Sequence, residues 1–166
     1  MKVVILCGGM GTRLREETEY RPKPMVEIGG RPILWHIMKI YAHYGFDEFI
    51  LCLGYKGWMI KEYFLNYAMM HGDFTIEIGN GNNIQFHNSQ MEEGWKVTLA
   101  ETGLNAMTGA RVKRIEKYID DDVFMLTYGD GVADINIPEL LRYRNILICP
   151  DFPRISSTIY QVRELF

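Results

Sequence analysis

The chain has 166 residues, 48% hydrophobic and 23% charged, and its 18 basic and 21 acidic side chains leave a formal net charge of -3. This is the balance of an ordinary globular chain of about one domain, long enough to bury a core without staples. It argues against a nucleic-acid binder that works through a basic surface, and no apolar run is long enough to span a membrane.

Met1 to Cys7 is too short for a signal peptide and runs straight into glycines. Within it, Val3 to Leu6 is a continuous apolar run ending at Gly8-Gly9, which predicts a buried strand of a parallel sheet. Gly8 to about Gly30 reads as a loop, interrupted by Pro22 and Pro24 and closed by Gly29-Gly30 before Pro32. Helical spacing of Leu34, Ile37, Met38 and Tyr41 predicts a helix over 32–44, with Pro32 in its first turn and Gly45 as its stop. Phe49 to Leu53 predicts a second strand, and Lys56 to Met70 a second helix with Met59, Ile60, Tyr63, Phe64 and Tyr67 on one stripe.

Alternation over Phe74 to Ile78 and Ile84 to His87, around the turn cluster Gly79 to Asn83, predicts a β-hairpin. A strand near Trp95 to Ala100 follows, then a helix over 108–118 with Thr108 as a possible N-cap and Val112, Ile115 and Ile119 inward. Val123 to Leu126 is another buried strand, ending in the loop Gly129-Asp130-Gly131, and Ile137 to about Tyr143 predicts a short helix, with Asp134 placed to cap it. Strands alternating with helices predict an α/β class, an open and mostly parallel sheet with right-handed crossovers and a small β-hairpin insertion. Ligands bind such sheets outside the C-terminal strand ends, so the loops at Gly8 and Gly129 are expected to share one crevice. Cys7, Cys52 and Cys149 are odd in number with no paired spacing, which points to a reducing cytosol and neither a disulfide framework nor a zinc site.

Three loops carry chemistry. Gly8-Gly9-Met10-Gly11-Thr12-Arg13 allows close backbone approach, exposed N–H groups that hold anions, and a planar cation for phosphate oxygens. Its spacing is neither that of a P-loop nor G-x-G-x-x-G, and read alone it is equally a tight turn. Pro22-Lys23-Pro24 stiffens the backbone around one lysine, which otherwise is a surface lysine in a proline-rich loop. Asp130 between two glycines after a strand suits magnesium carrying nucleotide phosphates, or is an Asp-Gly turn.

Together and in this order, Gly8 to Leu14, Pro22-Lys23-Pro24 and Gly129-Asp130 resemble the sugar-1-phosphate nucleotidyltransferases. Pro24 to Gly30, Pro32 to Lys39, Gly54 to Gly57, Met107 to Arg111 and Thr127 to Asp134 resemble the branch that joins CTP to glucose 1-phosphate. Related uridylyl and thymidylyl enzymes carry a Gln-containing segment where this chain has Glu101-Thr102-Gly103…Met107-Thr108-Gly109, a departure that favours cytidine over those alternatives. The resemblance covers residues 1 to about 141.

It implies a Rossmann-like sheet of the nucleotide-diphospho-sugar transferase type and formation of CDP-glucose and pyrophosphate with Mg2+ as cofactor. It also implies a cytoplasmic, homo-oligomeric enzyme of deoxysugar and O-antigen sugar synthesis, with CTP and a sugar 1-phosphate as partners and no nucleic acid or membrane. Leu6, Gly8 and Gly9 are implied at the base and ribose. Met10, Gly11, Thr12 and Arg13 wrap the triphosphate, Arg13 on the departing pyrophosphate, and Lys23 contacts the phosphates. Ala106 and Arg111 stand at CTP-contacting positions, Ala106 through its backbone alone because the family often has serine there. Gly129 lies near the nucleotide and Asp130 is the metal ligand, so Arg13, Lys23 and Asp130 are the candidate catalytic residues. The attacking phosphate is already ionised, so no general base is needed, and His36, His43, His71 and His87 are read as structural or surface residues.

From about Arg142 the match ends inside a helix. The sequence therefore divides into 1–141, a nucleotide-binding unit, and 142–166, a divergent tail with four arginines and no lysine. The resemblance implies roughly another hundred residues, bringing the sugar-phosphate pocket and a second acidic magnesium ligand. The expectation is a truncation or frameshift, with a short replacement that closes the sheet as the alternative. The alternatives for activity are a module that holds CTP–Mg with little or no turnover, and a non-catalytic assembly subunit.

Overall fold

A computed structural model of the chain describes residues 1–10, 20–79, 83–87, 94–120, 123–144 and 159–161. Its first strand, β1 (Val3–Leu6), sends Val3, Ile5 and Cys7 to one side and Val4 to the other, all buried. Both faces of the strand are covered, which is why it is written as an unbroken apolar run.

The proline-rich stretch is more ordered than its composition predicts. Lys23–Met25 forms one 3-10 turn, and β2 (Glu27–Ile28) pairs antiparallel with β3 (Arg31–Pro32). Gly29 and Gly30 both take positive φ, 59° and 78°, to make that turn. Helix α1 (Ile33–His43) follows with Pro32 at its N-cap, and Gly45 at φ 83° ends it as expected. β4 (Glu48–Leu53) again splits its side chains between two faces, Phe49, Leu51 and Leu53 against Ile50 and Cys52.

The single helix expected over 56–70 is two helices, α2 (Gly57–Leu65) and α3 (Tyr67–His71). Asn66 separates them with φ -98° and its side-chain amide donating to Glu62 O. An asparagine that bonds its own backbone competes with helix continuation. The hairpin is present as β5 (Asp73–Glu77) and β6 (Asn83–His87), with Phe74 opposite Phe86 and Ile76 opposite Ile84.

β7 (Lys96–Glu101) leads to α4 (Thr108–Arg114), and Glu116–Tyr118 continues as a 3-10 turn. Thr108 is the first helical residue and not the cap; Met107 holds the extended cap position without a side-chain bond. β8 (Val123–Tyr128) runs two residues beyond the expected strand. In α5 (Ile137–Arg144) the capping side chain is that of Asn136, which accepts from Glu139 N–H, so Asp134 is not the cap. Residues 156–166 show no firm period in the sequence, yet β9 (Ile159–Gln161) pairs antiparallel with β8. The apolar run Ile146 to Cys149, which the sequence offers as one more strand, lies outside the described residues.

The main sheet has the order β7-β4-β1-β8-β9. Its first four strands are parallel, as the alternation of strands and helices predicts. On one face Val3, Ile5, Phe49, Leu51 and Met125 pack under α1, α2 and α5 through Leu34, Met38, Ile60 and Ile137. On the other, Val4, Ile50, Ala100, Phe124 and Leu126 pack under Val112 and Ile115 from the α4 segment. Each fully buried large side chain here contributes about 1.5–3 kcal/mol, so the sheet is the rigid platform on which the loops sit. Among the described residues no helix is long and apolar enough to cross a membrane.

Candidate functional site

β1 has β4 and β7 on one side and β8 on the other. The chain therefore reverses its direction of travel across the sheet between β1 and β8, the place where an open α/β sheet leaves a crevice for a ligand. Leu6 stands opposite Tyr128, so the Gly8 loop and the Gly129–Gly131 loop leave the sheet side by side. Gly129 N–H donates to Leu6 O at 3.1 Å and closes the two strand ends. A Cβ on Gly129 would stand 3.0 Å from Cys7 Sγ, 3.1 Å from Leu6 O and 3.2 Å from Pro24 Cγ, so three segments meet on this glycine.

The third of these segments carries Lys23. Pro24 is buried and anchors the turn, and Lys23 Nζ stands 3.5 Å from Asp130 Oδ2. Both side chains keep water contact, with 23% and 44% of their surface exposed. An ion pair so placed adds little to stability, but it sets a cation and a carboxylate over the strand ends. Gly9 and Met10 are exposed beside it, whereas Leu6 is half-buried and Gly8 is buried.

Beneath the loop lies Arg111, which helix α4 carries inward until only 5% of it is exposed. Its Nη1 donates to Leu53 O at 2.9 Å and to Thr102 Oγ1 at 2.7 Å. Its Nη2 donates to Gly8 O at 2.9 Å and to Leu104 O at 3.3 Å. A buried guanidinium is tolerated when its donors are met in this way. Burial lowers its pKa, yet arginine keeps its charge in proteins. Gly8 O also accepts from Tyr55 N–H, and Lys56 next to it takes the left-handed φ of 48° before α2 begins.

Cys7 borders the same crevice. Burial pushes its thiol well above its ordinary value, with the negative charge of Asp130 acting in the same direction and the Arg111 guanidinium opposing it. A thiol held neutral is a poor nucleophile. Among the described residues no group of three or more His, Cys, Asp or Glu is placed to hold a metal. Magnesium commonly takes one or two protein carboxylates and completes its shell with phosphate oxygens and water. Asp130 fits that donor pattern for a metal that arrives with a nucleotide.

The structure thus brings Leu6, Gly8, Gly9, Met10, Lys23, Gly129 and Asp130 to one crevice, with Arg111 as its floor. Ala106 is half-buried after Gly103, a residue at φ 92°, and its N–H donates to Gly103 O at 3.5 Å. Gly11, Thr12 and Arg13 lie outside the described residues. Two contributors went unseen in the sequence, Thr102 and Gly54. Thr102 is fully buried. A Cβ on Gly54 would stand 2.7 Å from both Arg111 Nη1 and Gly8 O. The available signal was the arginine itself, since one placed on an inward helix face requires acceptors from elsewhere.

The nucleotidyl transferase family model matches residues 2–141. The chain belongs to the nucleotidyl transferase family. It is 56% identical over 144 residues to the glucose-1-phosphate cytidylyltransferase of Salmonella typhimurium, covering 86% of this chain and 55% of that one. It is 52% identical over 143 residues to the probable glucose-1-phosphate cytidylyltransferase of Bacillus subtilis, with the same coverage of 86% and 55%. The chain therefore spans about half the length of the curated relatives it matches. HddC from Yersinia pseudotuberculosis superposes with a TM-score of 0.60 at 27% identity, over 86% of this chain and 53% of that one. A UDP-glucose pyrophosphorylase complexed with UDP-glucose gives a TM-score of 0.62 at 14% identity, over 87% and 54% of the two chains, a likeness of fold.

Proposed function

We propose that the crevice between β1 and β8 binds CTP with Mg2+ and serves the transfer of a cytidylyl group to glucose 1-phosphate, releasing pyrophosphate. The observation that carries this reading is the meeting of the Gly8 loop, Lys23 and Asp130 at the strand-order reversal, with Lys23 Nζ 3.5 Å from Asp130 Oδ2. The identity to two cytidylyltransferases supports the nucleotide and the acceptor.

In the proposed reaction a phosphate oxygen of the sugar attacks the α-phosphorus of CTP, the bond from that phosphorus to the β-phosphate oxygen breaks, and pyrophosphate leaves. Asp130 would hold magnesium, which supplies charge neutralisation at the phosphates. Met10, Gly11 and Thr12 wrap the triphosphate, Arg13 meets the departing pyrophosphate, and Lys23 meets the phosphates. Leu6, Gly8, Gly9, Ala106, Arg111 and Gly129 shape the nucleoside end. The chain's contribution is positioning and preorganised charge. The same proposal carries a cytoplasmic homo-oligomer with a role in O-antigen sugar synthesis, residues 1–141 as the nucleotide-binding unit and 142–166 as a divergent tail.

A second reading is a module that holds CTP–Mg without turnover. Purified chain incubated with glucose 1-phosphate, magnesium and CTP, UTP or dTTP separates the two. CTP-dependent pyrophosphate release is the expected result. Calorimetric binding of CTP without release leaves the second reading, and no binding of any nucleotide overturns both.

A further inference from the structure

We propose that Thr102 is a positioning residue for the glycine loop, because it seats the Arg111 guanidinium that turns the Gly8 carbonyl inward and so leaves the Gly9 N–H facing the crevice. The inference deepens the reading of this crevice as a nucleotide site and rests on it.

The peptide between Gly8 and Gly9 is trans, since the described residues contain no cis bond. Its carbonyl and its N–H therefore point in opposite directions. Gly8 O accepts from Arg111 Nη2 at 2.9 Å and from Tyr55 N–H at 3.3 Å, both from inside the fold. With the carbonyl held inward, the N–H is turned toward exposed Gly9 and the open side. Reversing this peptide would set an N–H donor against a guanidinium that has only donors and would leave Arg111 without one of its acceptors.

Thr102 decides where that guanidinium sits. A hydroxyl has one proton and two lone pairs. Thr102 Oγ1 gives its proton to Leu53 O at 2.6 Å and accepts from Arg111 Nη1 at 2.7 Å. Leu53 O also accepts from the same Nη1 and from Thr102 N–H, so Thr102 Oγ1, Nη1 and Leu53 O close a small buried ring. The guanidinium cannot slide away from it, because its other flank is packed on the bare backbones of Gly8 and Gly54. The ends of β1, β4 and β7 are thereby tied through one charge, and the Gly8–Gly9 peptide is set before a ligand arrives.

Thr102→Val keeps the shape and removes the acceptor, while Thr102→Ser keeps the hydroxyl. Calorimetric titration of the full chain with CTP and magnesium, well below the melting transition, is expected to show affinity weakened about tenfold in Thr102→Val, the size of one lost charged hydrogen bond. Thr102→Ser is expected to bind as the unsubstituted chain does. Equal affinity in Thr102→Val overturns the proposal. Hydrogen exchange on the unsubstituted chain supplies an independent reading that needs no folded variant and no ligand. Gly9 N–H is expected to exchange as a solvent-facing amide, with Arg111 Nη resonances resolved by slow rotation. A protected Gly9 amide or averaged Arg111 resonances overturns the proposal. An unsubstituted chain that binds no CTP overturns the nucleotide reading, and this proposal then stands or falls on the exchange result.

Discussion

Lys23 Nζ and Asp130 Oδ2 lie 3.5 Å apart although 107 residues separate them in the chain. The pair is too exposed to be a device for stability: such ion pairs contribute about 0.2–1 kcal/mol. Asp130→Asn and Lys23→Ala are therefore expected to change the urea midpoint little. Their effect is expected at the ligand, where magnesium should strengthen CTP binding in the unsubstituted chain and not in Asp130→Asn. Calorimetry with and without magnesium checks this. A variant that keeps its magnesium dependence removes Asp130 from the site.

Gly8 and Gly9 are identical letters with opposite tolerances. A Cβ at position 8 would stand 2.1 Å from Arg111 Nη1, whereas one at position 9 meets nothing within 4 Å. Arg111 cannot yield cheaply, because both terminal nitrogens are bonded. Gly8→Ala is expected to cost about 1–3 kcal/mol, the range for overpacking a filled interior, while Gly9→Ala leaves stability unchanged. Urea denaturation of the two variants gives the comparison, and equal midpoints would contradict the packing described.

Alkaline pH should weaken the fold through its buried thiols. Burial pushes Cys52 from 9.0 up to about 12, opposed in part by Arg111, and raises Cys7 as well. In the unfolded chain both ionise near their ordinary values; in the folded chain they stay protonated. A raised folded pKa gives stability that is complete below about 9 and is lost as pH rises above it, for Cys52 until about 12. Melting temperatures taken between pH 8 and 11 should fall, and Cys52→Ala should flatten the slope. An unchanged slope in that variant would assign the alkaline loss to other groups.

The two faces of the architecture predict unequal costs for similar truncations. Phe124 is fully buried against Val4, Ile50 and Ile115, and Phe124→Ala is expected to cost about 3–5 kcal/mol. Phe86 is 41% exposed on the hairpin and meets Phe74 at 5.9 Å. Phe86→Ala then forfeits a cross-strand contact of about 0.2–1 kcal/mol. Denaturant unfolding of both variants tests the contrast, and similar losses would place the hairpin inside the cooperative core.

The parallel strands of the main sheet, the first helix and the three site loops were legible in the order of residues because their causes are local. An apolar run ending in glycine makes β1 and β4, Pro32 and Gly45 bound α1, and glycine and proline shape the loops at Gly8, Lys23 and Gly129. Local patterns failed where a distant partner or a competing side chain decides. Asn66 breaks a helix whose apolar stripe runs on past it, Asn136 displaces Asp134 as a cap, and β9 exists by pairing with β8. The floor of the crevice belongs to the same class. The resemblance puts Arg111 against the nucleotide, but its burial under the loop follows only once the fold supplies Gly8 O from 103 residues away and Leu53 O from 58 residues away. A charge is buried only when acceptors converge on it, and convergence is a property of the folded sheet and not of any stretch of the chain.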